Sequence, residues 1–255
     1  MSRKHQNKHD RRSKSVIEIA DKAAREQGPD KKTWSLHDLR RVFPITESQK
    51  ELYTSYINGY NVCAAGSAGT GKSYLALYLA FDDILNADTQ CDHVIIVRSA
   101  VPTRNIGFKP GTTEEKLAEY ETPYIDICTD LFRRKSTYGD MKKANLLTFV
   151  DTSCIRGQTW NDAVVIIEEV ENMNFHEINS VMTRIGKNSK VIITGDIKQT
   201  DLLSSNKDTS GMVEALRVLE RIPSFKTVQF TRNDIVRSGF VRDWIIAVED
   251  NDGRQ

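Results

Sequence analysis

The sequence predicts an α/β protein: a three-layer sandwich in which helices cover both faces of a mostly parallel central sheet. Three observations predict it. Gly66-Ser67-Ala68-Gly69-Thr70-Gly71-Lys72-Ser73 matches G-x-x-x-x-G-K-[ST] between a strand-like run and a helix-like run, the setting of a loop that cradles phosphates. Short apolar runs alternate with helical patterns along the chain, which implies parallel strands joined by crossovers. Those runs are almost uniformly apolar, as strands buried on both faces must be.

Each element follows in order. Residues 1–32 are read as a basic arm and a short helix, Ser15 to Gln27, closed by the Gly28-Pro29 break, and residues 33–255 as a single domain. Leu36 to Tyr56 leads into the first core strand, Tyr60 to Ala65, and Tyr74 to Leu85 carries the amphipathic helix that leaves the phosphate loop. Further strands are expected at His93 to Val97, Leu146 to Val150, Ala163 to Ile167, Lys190 to Thr194 and Phe225 to Phe230. Thr112 with Glu115, and Asn174 with Glu177, have the spacing of capping boxes that start helices between them.

Composition excludes some classes. At 255 residues, 39% hydrophobic and 28% charged, the chain is neither disordered throughout nor built of membrane spans, since no apolar run approaches the ~20 residues a span needs. Cys63, Cys91, Cys128 and Cys154 are scattered with no C-x-x-C pair, so reduced thiols are expected. The N-terminus lacks the apolar core of a secretory signal, and a cytoplasmic location is expected. The net charge of +1 conceals a tail: residues 1 to 14 carry six Lys and Arg against Asp10 alone, which is +5 and leaves −4 for the rest. Such an arm suits a phosphate backbone. A solvated tail would have the same composition.

The loop carries the chemistry. Glycines recur because backbone N–H groups must close around a polyphosphate where a Cβ would obstruct them. Lys72 supplies a cation for the β- and γ-phosphates, Ser73 a hydroxyl for Mg²⁺, and the helix that begins there points its positive end at the anion. A triphosphatase also needs carboxylates at the end of a neighbouring strand, and Ala163 to Ile167 is followed by Glu168-Glu169. Glu168 suits the metal through water; Glu169 suits the attacking water. Thr194-Gly195-Asp196, with Gln199 three residues on, ends another strand and offers a polar sensor for the γ-phosphate. His93, His176, Trp34, Trp160 and Trp244 are read as ordinary polar or packing positions.

The order of GSAGTGKSYLAL, RSAVPTRNIGFKPG, FVDTSCIRGQTWNDAVVIIEEVENM, RIGKNSKVIITGDIKQTDL, SGMVEAL and FTRNDIVRSGFVRDWI resembles the PhoH family of ATPases over about residues 44 to 248. The family's core is itself similar to the ATPase half of superfamily 1 helicases, a RecA-like P-loop NTPase fold. The resemblance implies ATP and Mg²⁺ as cofactors, with Gly66, Ser67, Ala68, Gly69, Thr70, Gly71, Lys72, Ser73 and Tyr74 in the nucleotide site. It implies adenine recognition by Gln49, nucleic-acid contacts from Arg98, Thr103, Arg156 and Thr159, and an arginine, Arg237, that stabilises charge on the transferring phosphoryl group. Lys72, Glu168, Glu169, Gln199 and Arg237 are then the expected catalytic set, with Ser73 and Glu168 at the metal.

Three blocks depart from the family pattern. Asp-Glu-Ala-Gln-Asn reads Glu168-Glu169-Val170-Glu171-Asn172, Arg-Gly-Arg ends in Gln158, and His-Pro-Leu-Val reads Ser238-Gly239-Phe240-Val241. The expected function is ATP hydrolysis coupled to binding or remodelling of RNA or single-stranded DNA. With one motor domain in place of two, the other face of the site is expected from a neighbour in a homo-oligomer, for which a hexameric ring is one arrangement, with Arg237 or another arginine reaching the neighbour's nucleotide. Two alternatives stay open: a nucleotide-gated oligomeric binding protein with weak or no hydrolysis, and a small-molecule kinase, against which the T-G-D-x-x-Q block speaks.

Overall fold

All six apolar runs form strands. A computed structural model describes residues 34–99, 113–196 and 211–252, with side chains of the second stretch described from residue 118. The strands are β1 (Asn61–Gly66), β2 (His93–Arg98), β3 (Leu147–Asp151), β4 (Ala163–Glu168), β5 (Lys190–Gly195) and β6 (Phe225–Phe230). They lie in the order β3-β2-β4-β5-β1-β6, every pair parallel, so the sheet is wholly parallel among the described residues. The α-helices are α1 (Glu47–Ile57), α2 (Lys72–Leu85), α3 (Thr113–Phe132), α4 (Thr137–Lys143), α5 (Phe175–Met182), α6 (Met212–Leu219) and α7 (Phe240–Asp252).

Alternation along each strand builds two cores. Val62, Ala64, Ile96, Val164, Ile166 and Ile192 pack under α1 to α4, against Leu52, Phe81, Tyr124 and Met141. Their neighbours Cys63, Ala65, Val97, Val165, Ile167 and Ile193 pack on the opposite face with Ile178 of α5 and Met212 and Leu219 of α6. A strand side chain buried on either face contributes about 1.5–3 kcal/mol, which is why β1, β2 and β4 are apolar through their middle residues, whereas the edge strand β6 keeps Lys226 and Gln229 exposed.

Register decides where the chemistry lies. β2, β4 and β5 each run one residue past the predicted end, so that Arg98 pairs with Glu168 and Ala65 with Gly195 along the carboxyl edge of the sheet. Asn174 and Glu177 form the predicted capping box: the Asn174 side chain accepts from Glu177 N at 3.0 Å and Glu177 Oε2 accepts from Asn174 N at 2.9 Å. The Thr112 cap, the Ser15 to Gln27 helix and the basic arm lie outside the described residues. Trp34 and Trp160 are buried as expected, but Trp244 is 61% exposed on α7, tilted against Phe240. Its expected packing role is corrected by that exposure.

Candidate functional site

The phosphate loop turns between β1 and α2 through three glycines with positive φ: Gly66, Gly69 and Gly71 at +127°, +69° and +81°. A Cβ on Gly66 would stand 2.0 Å from the Phe230 carbonyl oxygen, so β6 itself demands glycine there. Ser67 N donates to that same carbonyl at 3.0 Å, and Thr70 Oγ1 donates to Ser67 O at 3.0 Å, closing the loop on its own backbone. Ala68 lies at the half-buried bend. Gly71 caps α2, and Lys72 and Ser73 follow in its first turn.

Lys72 Nζ donates to Gly66 O at 2.6 Å and Ser67 O at 2.7 Å. Burial lowers its pKa, against the pull of Asp196, Glu171 and Glu168. Ser73 Oγ donates to Glu168 Oε2 at 2.7 Å. Glu168 is 3% exposed, and its Oε1 is buried with no hydrogen-bond partner among the described residues. Burial raises its pKa, opposed by the Ser73 and Thr194 hydroxyls.

That orphaned oxygen is the test of whether a metal fits. A buried carboxylate oxygen without a donor costs free energy unless something answers it, and it lies on the same carboxylate as the Ser73 contact. Mg²⁺ keeps most of its waters and takes one or two protein oxygens plus phosphates, so Ser73 and Glu168 fit it. No group of three or more His, Cys, Asp or Glu side chains among the described residues is placed to hold a metal unaided.

Glu169 goes the other way. It adopts left-handed backbone, φ 50° and ψ 48°, and its Oε2 accepts from Arg98 Nη2 of β2, with Asn172 Nδ2 at 3.4 Å. Arg98 stands over the Tyr120 ring at 5.2 Å, and its side chain is only 14% exposed. Sequence reasoning missed Tyr120, and no motif marks it. Arg156 and Thr159 are exposed on the loop between β3 and β4. Gln158, at the position of the missing arginine, is engaged within that loop: Oε1 accepts from Trp160 Nε1 at 2.9 Å and Nε2 donates to Cys154 O at 2.8 Å. Gln199 and Thr103 lie outside the described residues.

Around the loop runs a cavity of about 340 Å³ lined by Val42, Ile45, Gln49, Tyr74, Val236 and Arg237. Both ends of the Gln49 amide are engaged there, Nε2 donating to Thr70 O and Oε1 accepting from Ile45 N, each at 2.9 Å. Gln49 thus ties α1 to the loop. Val236 N donates to Gly69 O at 3.0 Å, and a Cβ on Gly69 would meet Arg237 Cγ at 3.1 Å and Ile245 Cδ1 at 3.0 Å. The segment entering α7 therefore lies on the loop, with Arg237 beside the cradle of its own chain. Asp234 anchors this segment, accepting from Thr231 N and from Ser48 Oγ at 2.9 Å each. The three-residue spacing of Thr231 and Asp234 is that of a capping box, which the structure forms, whereas its hold on Ser48 has no local signal.

Glu171 and Asp196 lie within electrostatic reach of Lys72. Glu171 Oε2 accepts from Asp196 N at 3.0 Å, and both residues are buried. Burial raises the Glu171 carboxyl to about 8, with Glu169 and Asp196 adding to it.

The chain is similar to known proteins over most of its length. The family model described as PhoH-like protein matches residues 41–249. The "PhoH-like protein" of Mycobacterium tuberculosis is 31% identical over 209 residues, covering 82% of this chain and 58% of the relative. That of Bacillus subtilis is 32% identical, covering 80% and 63%, and "Protein PhoH" of Escherichia coli is 30% identical, covering 79% and 57%. The chain thus spans about three fifths of the length of the curated relatives it matches. Among solved structures, the Pif1 helicase of Candida albicans aligns with a TM-score of 0.38 at 18% identity, covering 76% of this chain and 42% of that one.

Proposed function

The chain belongs to the PhoH-like family, and from that premise we propose that it binds ATP with Mg²⁺ in the loop cradle and hydrolyses it to ADP and phosphate. One observation carries the reading: Ser73 and Glu168 are hydrogen-bonded at the mouth of a glycine cradle, and Glu168 keeps a second, buried oxygen without a partner. Mg²⁺ when bound would neutralise charge on the phosphate oxygens. Lys72 would leave two loop carbonyls for phosphate oxygens, and Arg237 would add positive charge from its own chain. Glu169 would orient the attacking water. Gln199 keeps its proposed role as γ-phosphate sensor.

Lys72→Ala is expected to cut phosphate release at least 100-fold, on the order of the loss when one stabilising donor is removed. Release that survives the substitution undiminished would overturn the assignment.

Single-stranded RNA or DNA is the proposed partner, met by Arg98, Thr103, Arg156, Thr159 and the basic arm, with the protein working in the cytoplasm. Self-assembly is supported by the exposed face of Phe240, Val241, Trp244 and Val248 on α7. The pairing of Glu169 with Arg98 favours a second reading, a nucleotide-gated binding protein with slow hydrolysis. Phosphate release with and without oligonucleotide separates the two.

A further inference from the structure

The two consecutive glutamates at the end of β4 serve opposite flanks. Glu168 reaches Ser73 at the loop that follows β1, whereas Glu169 is taken by Arg98 of β2. In the sheet order β2 lies on one side of β4, and β5 and then β1 lie on the other. The carboxylate assigned to the attacking water is therefore drawn away from the phosphate cradle. Its left-handed backbone is strained in a non-glycine residue and persists only when surroundings hold it. Arg98 and Asn172 are the holders.

Arg98 has capacity to spare. One nitrogen serves Glu169, the guanidinium also meets the buried Tyr124 hydroxyl, its face lies over Tyr120, and Nε alone is buried without a hydrogen-bond partner among the described residues. A guanidinium fork binds a phosphodiester through two parallel N–H donors as readily as it binds a carboxylate.

We propose that Arg98 is an exchangeable clamp: it holds Glu169 off the cradle until a phosphodiester of single-stranded nucleic acid takes the guanidinium, which frees Glu169 to orient water. The hydrolytic half of this inference rests on the proposed function. The binding half does not, because coupling is reciprocal: if nucleic acid weakens the Arg98–Glu169 pair, weakening that pair must strengthen nucleic-acid binding.

The test is a double-mutant cycle on the full chain by fluorescence anisotropy, using labelled oligouridylate and oligothymidylate of about 16 nucleotides, without nucleotide. Glu169→Gln is expected to bind tighter than the parent by roughly fivefold or more, Arg98→Gln weaker, and Glu169→Gln to give no gain in the Arg98→Gln background. The RNA and DNA arms tell which sugar is preferred. Equal binding by Glu169→Gln and the parent, the same gain without Arg98, or no binding by any of the proteins overturns the clamp. Should Arg98→Gln not fold, Arg98→Lys, which keeps the charge and loses the fork, takes its place in the cycle. In phosphate release, Arg98→Gln is expected to raise the oligonucleotide-free rate and abolish stimulation. A lower rate with stimulation intact would reduce Arg98 to a simple support and overturn the proposal. Failure of the ATPase reading looks different: release is insensitive to Lys72→Ala while the binding cycle stands.

Discussion

Glu171 is a carboxylic acid where burial penalises a charge. Its side chain lies under Gly195 and accepts from Asp196 N, with Glu169 and Asp196 as electrostatic neighbours. Burial raises its pKa from 4.5 to about 8, so between those values folding takes up a proton that the unfolded chain has released. The stability this residue contributes is thus present at low pH and lost as pH rises through about 8. Glu171→Gln keeps an acceptor for Asp196 N and cannot ionise. It is expected to melt with the parent in acid and a few degrees above it beyond pH 8; melting curves that stay superposed across that range would sink the assignment.

At the scale of elements, the clasp between α1 and the segment after β6 is the most exposed to challenge. Burial alone would raise the Asp234 carboxyl, but donors from Thr231, Thr46 and Ser48 outweigh it and hold the pKa low. Its stabilisation is therefore present above the unfolded value and lost as pH falls through the folded one. Asp234→Ala is expected to cost about 2–3 kcal/mol, because hydrogen bonds to a charged acceptor are lost, and at roughly 2–4 °C per kcal/mol to lower the melting temperature by about 4–12 °C. Since α1 carries Gln49 and this segment carries Val236 and Arg237, both walls of the cavity should loosen and ATP affinity fall, as titration calorimetry would show. A stable protein with unchanged affinity would refute the clasp. The sequence made the cradle, the six strands and the capping box at Asn174 legible, because glycine pattern, apolar runs and cap spacing are local signals. It did not reveal the grip of Asp234 on Ser48, 186 residues apart, the turn of Glu169 toward Arg98, or the engagement of Gln49 by the loop. Those depend on which strands become neighbours, and no local pattern encodes that.

For the whole molecule, the open question is what meets α7. Phe240 at 76% and Trp244 at 61% exposed form an apolar surface, larger side chains than a solvated helix face ordinarily presents. Trp244→Ala combined with Phe240→Ala is expected to shift the particle to a smaller size in light scattering while leaving the melting temperature nearly unchanged. An unaltered mass would discard this face as the site of assembly. No described helix is long and apolar enough to cross a membrane, so the exposed face is not explained by a helical span among the described residues.

The sheet order has a bearing on synthesis. β1 pairs with β5 and β6, whose paired residues follow their β1 partners by 130 positions (Val62 to Ile192) and 164 (Asn61 to Phe225), so the strand that feeds the phosphate loop waits without hydrogen-bonded neighbours while most of the chain is being made. Such non-local pairing folds slowly and leaves sticky backbone edges exposed. Nascent chains stalled before residue 190 should therefore bind chaperones and fail to retain ATP, and competence should arrive late and all at once as β5 and β6 slot in on either side.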